Sequence, residues 1–247
     1  MSRIAFFSIP AHGHTNPTVE VVHTLAARGH RVRYYSFEEF RARLEGAGAE
    51  FVPCDSYLPP APRDVERRIG RDFASLIGMV VDVTAAMEER VLGELAAFRP
   101  HCIVADSLCI WGKLYAERLG VPLVCSTTTF AFDQETAKGM RPSPAELLRT
   151  LAGVPRIGKK LALLRAHGYR AEKLTDLIQN DSSTYTIVYT SRAFQPGGER
   201  FGERVAFVGP VLPELPAPGS CSAPWRAYPE LGKSWPCCGP TATGRKS

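Results

Sequence analysis

"IAFFSIPAHGHTNP" (residues 4–17) runs apolar to Ser8, stops at Pro10, and then places two imidazoles, His12 and His14, ahead of Asn16 and Pro17. Residues 3–9 are short, aromatic and β-branched, which reads as a fully buried strand. Pro17 suits the first turn of a helix, with Asn16 as its N-cap. Residues 18–28 continue that helix, with Val19, Val22, Leu25 and Ala26 on one face and Gly29 as the C-terminal cap.

The same alternation extends outward. Residues 30–37 read as a strand, 38–48 as a short helix closed by glycines, and 50–54 as a third strand. This β-α-β-α-β order predicts an α/β fold, a Rossmann-like doubly wound parallel sheet with right-handed crossovers. Residues 55–68 are rich in proline and charge and read as a loop. A helical stretch follows over about 70–98 and stops at Arg99-Pro100. Residues 101–106 read as a buried strand ending in an acid, 109–120 as a helix closed by Gly120, and 121–127 as another strand. The text over 143–180 is helical and basic, with breaks near Pro155 and Gly168. Strands are expected at 184–191 and 204–210.

After Glu214 no helical or strand period survives. Residues 215–247 contain six prolines, three of the seven cysteines and two of the three tryptophans. This composition predicts a disordered or frameshifted tail rather than a domain. Four cations there (Arg226, Lys233, Arg245, Lys246) face one acid, Glu230, so much of the net charge of +5 sits in the tail. Residues 1–214 are nearly balanced and show no basic stripe, which argues against nucleic acid as a partner. With 45% hydrophobic and 22% charged residues, the chain has the composition of a soluble globular protein. The cysteines lack a CxxC pair, and no leader segment or membrane span is evident, so a reducing, cytoplasmic setting is expected.

Ligands of open parallel sheets bind beyond the carboxyl ends of the strands. The first strand delivers His14 there and the fourth delivers Asp106. An imidazole can take a proton from a hydroxyl near neutral pH, and a carboxylate on its other nitrogen fixes the tautomer. A histidine ahead of a helix also serves as a surface or capping residue, and an H-x-H pair can bind metal, but no third ligand lies nearby. The first β-α turn has one glycine, Gly13, and matches neither dinucleotide nor P-loop fingerprints. "STTTFAF" (126–132) brings hydroxyls and aromatics to the same crevice, and Phe73 belongs to an apolar helix that contributes core and pocket lining.

Three segments, residues 6–40, 99–128 and 186–214, resemble the macrolide-type, UDP-sugar-dependent glycosyltransferases of the two-domain GT-B arrangement, in order and spacing. The resemblance covers residues 1–214 and implies the acceptor-binding half of such an enzyme. It implies inverting transfer of a hexose from a nucleotide sugar, UDP-glucose, to a hydroxyl of a macrolide, flavonoid or other hydrophobic phenol or alcohol. It assigns His14 as catalytic base and Asp106 as its orienting acid, with neither metal nor cofactor. Asn16, Phe73, Ser107, Thr127 and Phe130 are expected to contact substrate. The family's second, nucleotide-sugar domain has no counterpart in residues 215–247, so the chain alone is expected to be inactive. A non-enzymatic acceptor-binding module and half of a split enzyme are the alternatives.

Overall fold

A computed structural model describes residues 1–58, 73–132, 144–172, 177 and 184–210, with backbone alone at 73 and 144–151. The elements, in chain order, are β1 (Arg3–Phe7), α1 (His12–Ala27), β2 (Arg31–Ser36), α2 (Arg41–Gly46), β3 (Glu50–Pro53), α3 (Phe73–Phe98), β4 (Cys102–Asp106), α4 (Ile110–Leu119), β5 (Leu123–Thr127), α5 (Pro144–Ala166), β6 (Tyr185–Val188) and β7 (Val205–Phe207). The tail expected over 215–247 lies outside the described residues.

Among the described residues the strands form one seven-stranded sheet in the order β3-β2-β1-β4-β5-β6-β7, and every neighbouring pair is parallel. The order reverses between β1 and β4, which places a crevice where their carboxyl ends part.

Strand β1 is apolar from Ile4 to Phe7 because both its faces are covered there. Ile4 and Phe6 pack with Val22, Leu44 and Phe51 on the α1/α2 side. Ala5 and Phe7 pack with Val91, Leu95 and Leu114 on the α3/α4 side. The register puts Phe6 opposite Tyr34 and Phe7 opposite Tyr35, and the rings stack at 5.4 and 4.6 Å on opposite faces. Each such buried aromatic contributes on the order of 1.5–3 kcal/mol of transfer free energy. Gly112 lets α4 lie directly on the sheet. A Cβ there would stand 2.7 Å from Ala105 Cβ and 3.0 Å from Phe7 Cβ.

Three sequence expectations need correction. Asn16 does not cap α1: the helix begins at His12 with Ala11 as N-cap, because Ala11 O already accepts the N–H groups of His14 and Thr15 at 2.9 Å each. Pro17 therefore sits inside the helix. Pro155 does not break α5, which runs unbroken from Pro144 to Ala166. Its packing on α3 outweighs the lost hydrogen bond: Leu161 and Leu164 are buried against the α3/α4 core, and Gly153 passes so close to Ala74 that a Cβ would stand 2.6 Å from Ala74 Cβ. The segment 38–48 divides into a single 3-10 turn (Glu38–Phe40) and the short α2. Gly120 closes α4 in the left-handed conformation, φ +63°, as its position predicts.

Candidate active site

The crevice between β1 and β4 is built by two short connections. After β1 the chain turns at Ile9, whose carbonyl accepts the Ala11 N–H at 2.8 Å, and enters α1. This puts His14 in the first helical turn. Asp106 is the last residue of β4, one step beyond the pairing of Ala105 with Phe7. The two side chains meet with Nδ1 and Oδ2 2.7 Å apart.

Both Asp106 oxygens act as acceptors: Oδ1 takes the Leu108 N–H at 2.9 Å while Oδ2 faces the imidazole. An acceptor on this side selects the tautomer with its proton on Nδ1. Nε2 has no partner among the described residues. The Asp106 side chain is 1% exposed and that of His14 15%, so the acid is sealed while the imidazole reaches solvent. Around Asp106 lie two phenols. Burial pushes the Tyr34 and Tyr189 hydroxyls above the ordinary phenol range, and the Asp106 charge acts in the same direction. Both therefore remain neutral phenols: Tyr34 shares a 2.8 Å hydrogen bond with Thr18, and Tyr189 Oη accepts from Ser126 at 3.2 Å.

His12 plays a different part from His14. It is exposed and rests edge-on against Phe40, ring centroids 5.1 Å apart. Gly13 between them shows no close approach, since a Cβ there would meet nothing within 4 Å. Among the described residues no three metal-ligating side chains converge, and no helix is long and apolar enough to cross a membrane.

The other sequence-predicted residues are distributed around the pair. Ser107 follows Asp106 and gives its N–H to Ser126 O at 3.0 Å. Asn16 accepts a hydrogen bond from Arg43 of α2. Thr127 is buried at the end of β5, where its carbonyl accepts the Tyr189 N–H at 3.2 Å. Phe130 is 43% exposed and leans on Phe194 at 5.7 Å between centroids. Phe73 opens α3, and its side chain lies outside the described residues.

Two residues escaped the sequence reading. Thr128, not Thr127, reaches the pair, with Oγ1 3.0 Å from His14 Nδ1. Gln195 is buried and bonds twice to the backbone of Ala131, three residues beyond Thr128. Parity along β5 is a signal for the first. Thr127 shares a face with Cys125, its Oγ1 3.6 Å from Cys125 Sγ. Thr128 comes one residue later, beyond the end of the strand.

No family model matches the chain. It is 31% identical over 234 residues to the demethyllactenocin mycarosyltransferase of Streptomyces fradiae, covering 91% of this chain and 50% of that protein. It is 33% identical over 213 residues to the NDP-glycosyltransferase YjiC of Bacillus licheniformis, covering 85% of this chain and 51% of the relative. Among solved structures, the calicheamicin glycosyltransferase CalG4 superimposes with a TM-score of 0.64 at 27% identity, over 87% of this chain and 54% of that one. The kitacinnamycin glycosyltransferase shares the fold with a TM-score of 0.71 at 24% identity, over 90% of this chain and 55% of that one. The chain thus spans about half the length of the curated relatives it matches.

Proposed function

Because the chain is homologous, over nearly its whole length, to the N-terminal half of the macrolide-type and NDP-sugar glycosyltransferases of GT-B fold, we propose that it supplies the acceptor side of a sugar-transfer site. His14 is the general base and Asp106 its orienting partner. The observation that carries this reading is the 2.7 Å contact between Nδ1 and Oδ2, which leaves Nε2 as the ring's only proton acceptor.

In this reading Nε2 takes the proton of an acceptor hydroxyl as that oxygen forms its bond to the anomeric carbon. The bond from that carbon to the phosphate oxygen breaks on the opposite face, and its electron pair leaves with the nucleoside diphosphate. Configuration inverts. The buried Asp106 carboxylate stabilises the imidazolium that forms. Relatives named as NDP-glycosyltransferase, UDP-glucosyltransferase and oleandomycin glycosyltransferase support a nucleotide-sugar co-substrate, UDP-glucose in our assignment, and a hydrophobic acceptor such as a macrolide or a flavonoid or other phenol. No metal or further cofactor enters the scheme. We assign Asn16, Ser107 and Phe130, which surround the pair, to the acceptor wall. We place the chain in the cytoplasm, in keeping with the unpaired thiols of Cys54 and Cys109.

Much of the rate of such a transfer comes from holding the reacting atoms ~3–3.5 Å apart. The chain matches only about half the length of each relative, so residues 1–247 by themselves are expected to transfer no sugar. Joining residues 1–210 to the C-terminal half of a relative such as YjiC is expected to give transfer to a phenolic acceptor, and His14→Ala should lower it by about 10²–10⁴-fold. A folded, donor-binding fusion that is equally active with His14→Ala would overturn the assignment.

A further inference from the structure

Thr128 Oγ1 lies 3.0 Å from His14 Nδ1, the nitrogen that Asp106 Oδ2 already engages at 2.7 Å. One N–H cannot point squarely at two oxygens. The nearer, charged oxygen takes the main share, and the threonine hydroxyl accepts the remainder of a three-centre bond. The ring is then fixed at two points. A rotation about Cβ–Cγ that favours one oxygen carries the N–H away from the other.

Thr128 is the first residue beyond β5, so strand pairing does not place it. Its loop is anchored from a residue 64 positions away from Ala131. Gln195 Oε1 accepts the Ala131 N–H at 2.8 Å, and Gln195 Nε2 donates to Ala131 O at 3.1 Å and to Pro196 O at 3.3 Å. Gln195 is 3% exposed, and these bonds use both its N–H donors and its oxygen. The loop that carries it is itself closed: Ser191 O accepts the N–H groups of Phe194 and Gln195 at 3.1 Å each, and Arg192 Nη1 donates to Gly198 O at 2.8 Å and Phe201 O at 2.7 Å. A rigid turn after β6 thus grips the backbone of the loop after β5 through one buried side chain.

We propose that Gln195 is a positioning residue for the base. Through Ala131 it sets Thr128 against Nδ1, and Thr128 and Asp106 together fix the imidazole so that Nε2 is the nitrogen presented to an acceptor hydroxyl. The proposal rests on the reading of His14 as base.

The test is NMR of the 247-residue chain with isotope-labelled histidine. In the wild type the His14 Nδ1–H should be the dominant tautomer and exchange slowly. The near-isosteric changes Thr128→Val and Gln195→Met should each speed that exchange about fivefold, the scale of one net hydrogen bond, and move the Nδ1 shift. Amide protection in β1 and β4 should stay the same. Thr128→Ser should behave as wild type. Should Gln195→Met perturb the fold, Gln195→Glu keeps the bond from Ala131 N–H, loses the one to Ala131 O, and should give a smaller change of the same sign. Unchanged Nδ1 exchange and shift in Thr128→Val and in the folded Gln195 variant would overturn the proposal, as would equal acceleration in Thr128→Ser and Thr128→Val. The readout needs no sugar transfer. Unchanged Nδ1 signals would sink the clamp and leave the base assignment standing, whereas a fusion indifferent to His14→Ala would sink the base assignment and leave the clamp measurable.

Discussion

His14 and Asp106 are 92 residues apart in the chain and 2.7 Å apart through Nδ1 and Oδ2. The distance follows from the sheet. Strands β1 and β4 are direct neighbours, paired from Ile4 with Cys102 to Phe7 with Ala105, so their carboxyl ends are level. Asp106 needs only the next position on its strand, and His14 needs only a tight turn into α1. The geometry therefore depends on α4 lying flat against these two strands, and that depends on Gly112.

Gly112→Ala should destabilise the protein. The added Cβ would stand 2.7 Å from Ala105 Cβ and 3.0 Å from Phe7 Cβ, both anchored in strands, so the helix must back away. Overpacking of this kind costs about 1–3 kcal/mol, against a helix-propensity gain of at most ~1 kcal/mol. Gly93→Ala is the control: it is exposed within α3 and its Cβ would meet nothing within 4 Å. Urea unfolding should show a lower midpoint for the first and an equal or higher one for the second.

Phe7 and Phe194 separate core from surface. Phe7 is 1% exposed and stacked on Tyr35, whereas Phe194 is 70% exposed. Phe7→Ala should cost about 3–5 kcal/mol, and Phe194→Ala within about 0.5 kcal/mol. Comparable losses in denaturant titrations would contradict the placement of the core.

Stability should fall at alkaline pH. Burial, with Asp55 and Glu94 adding to it, pushes the Cys54 thiol from its ordinary 9.0 up to about 12. The folded chain thus keeps a proton that the unfolded chain releases first. This contribution is fully present below pH 9 and is lost as pH rises towards 12. Unfolding midpoints measured at pH 7, 9 and 10.5 should decline more steeply for the wild type than for Cys54→Ala. Equal slopes would count against the thiol's part.

The alternation of strands and helices was legible because each element carries its own period and its own stop, such as Gly120 after α4 and Arg99-Pro100 after α3. Arg99 adopts φ +49° at that stop. The meeting of His14 with Asp106 was legible because Asp106 ends β4 and His14 follows β1 by one tight turn, and the two strands are neighbours. Thr128 and Gln195 were not. Their contacts depend on loop conformation, and "STTT" offers adjacent hydroxyls that differ only in which side of the chain they take. Asn16-Pro17 misled because it has the form of a helix start, while the turn at Ile9 had already begun the helix at His12. Pro155 misled because a local breaker was overridden by packing on α3.

The most direct test of the account is the kinetics of Asp106→Asn in a donor-competent fusion. Asparagine keeps the shape and removes the charge that orients the imidazole. We expect kcat to fall by about 10²–10⁴-fold with little change in the acceptor KM, the signature of an interaction used in the transition state. A folded Asp106→Asn enzyme that retains the parent kcat would contradict it.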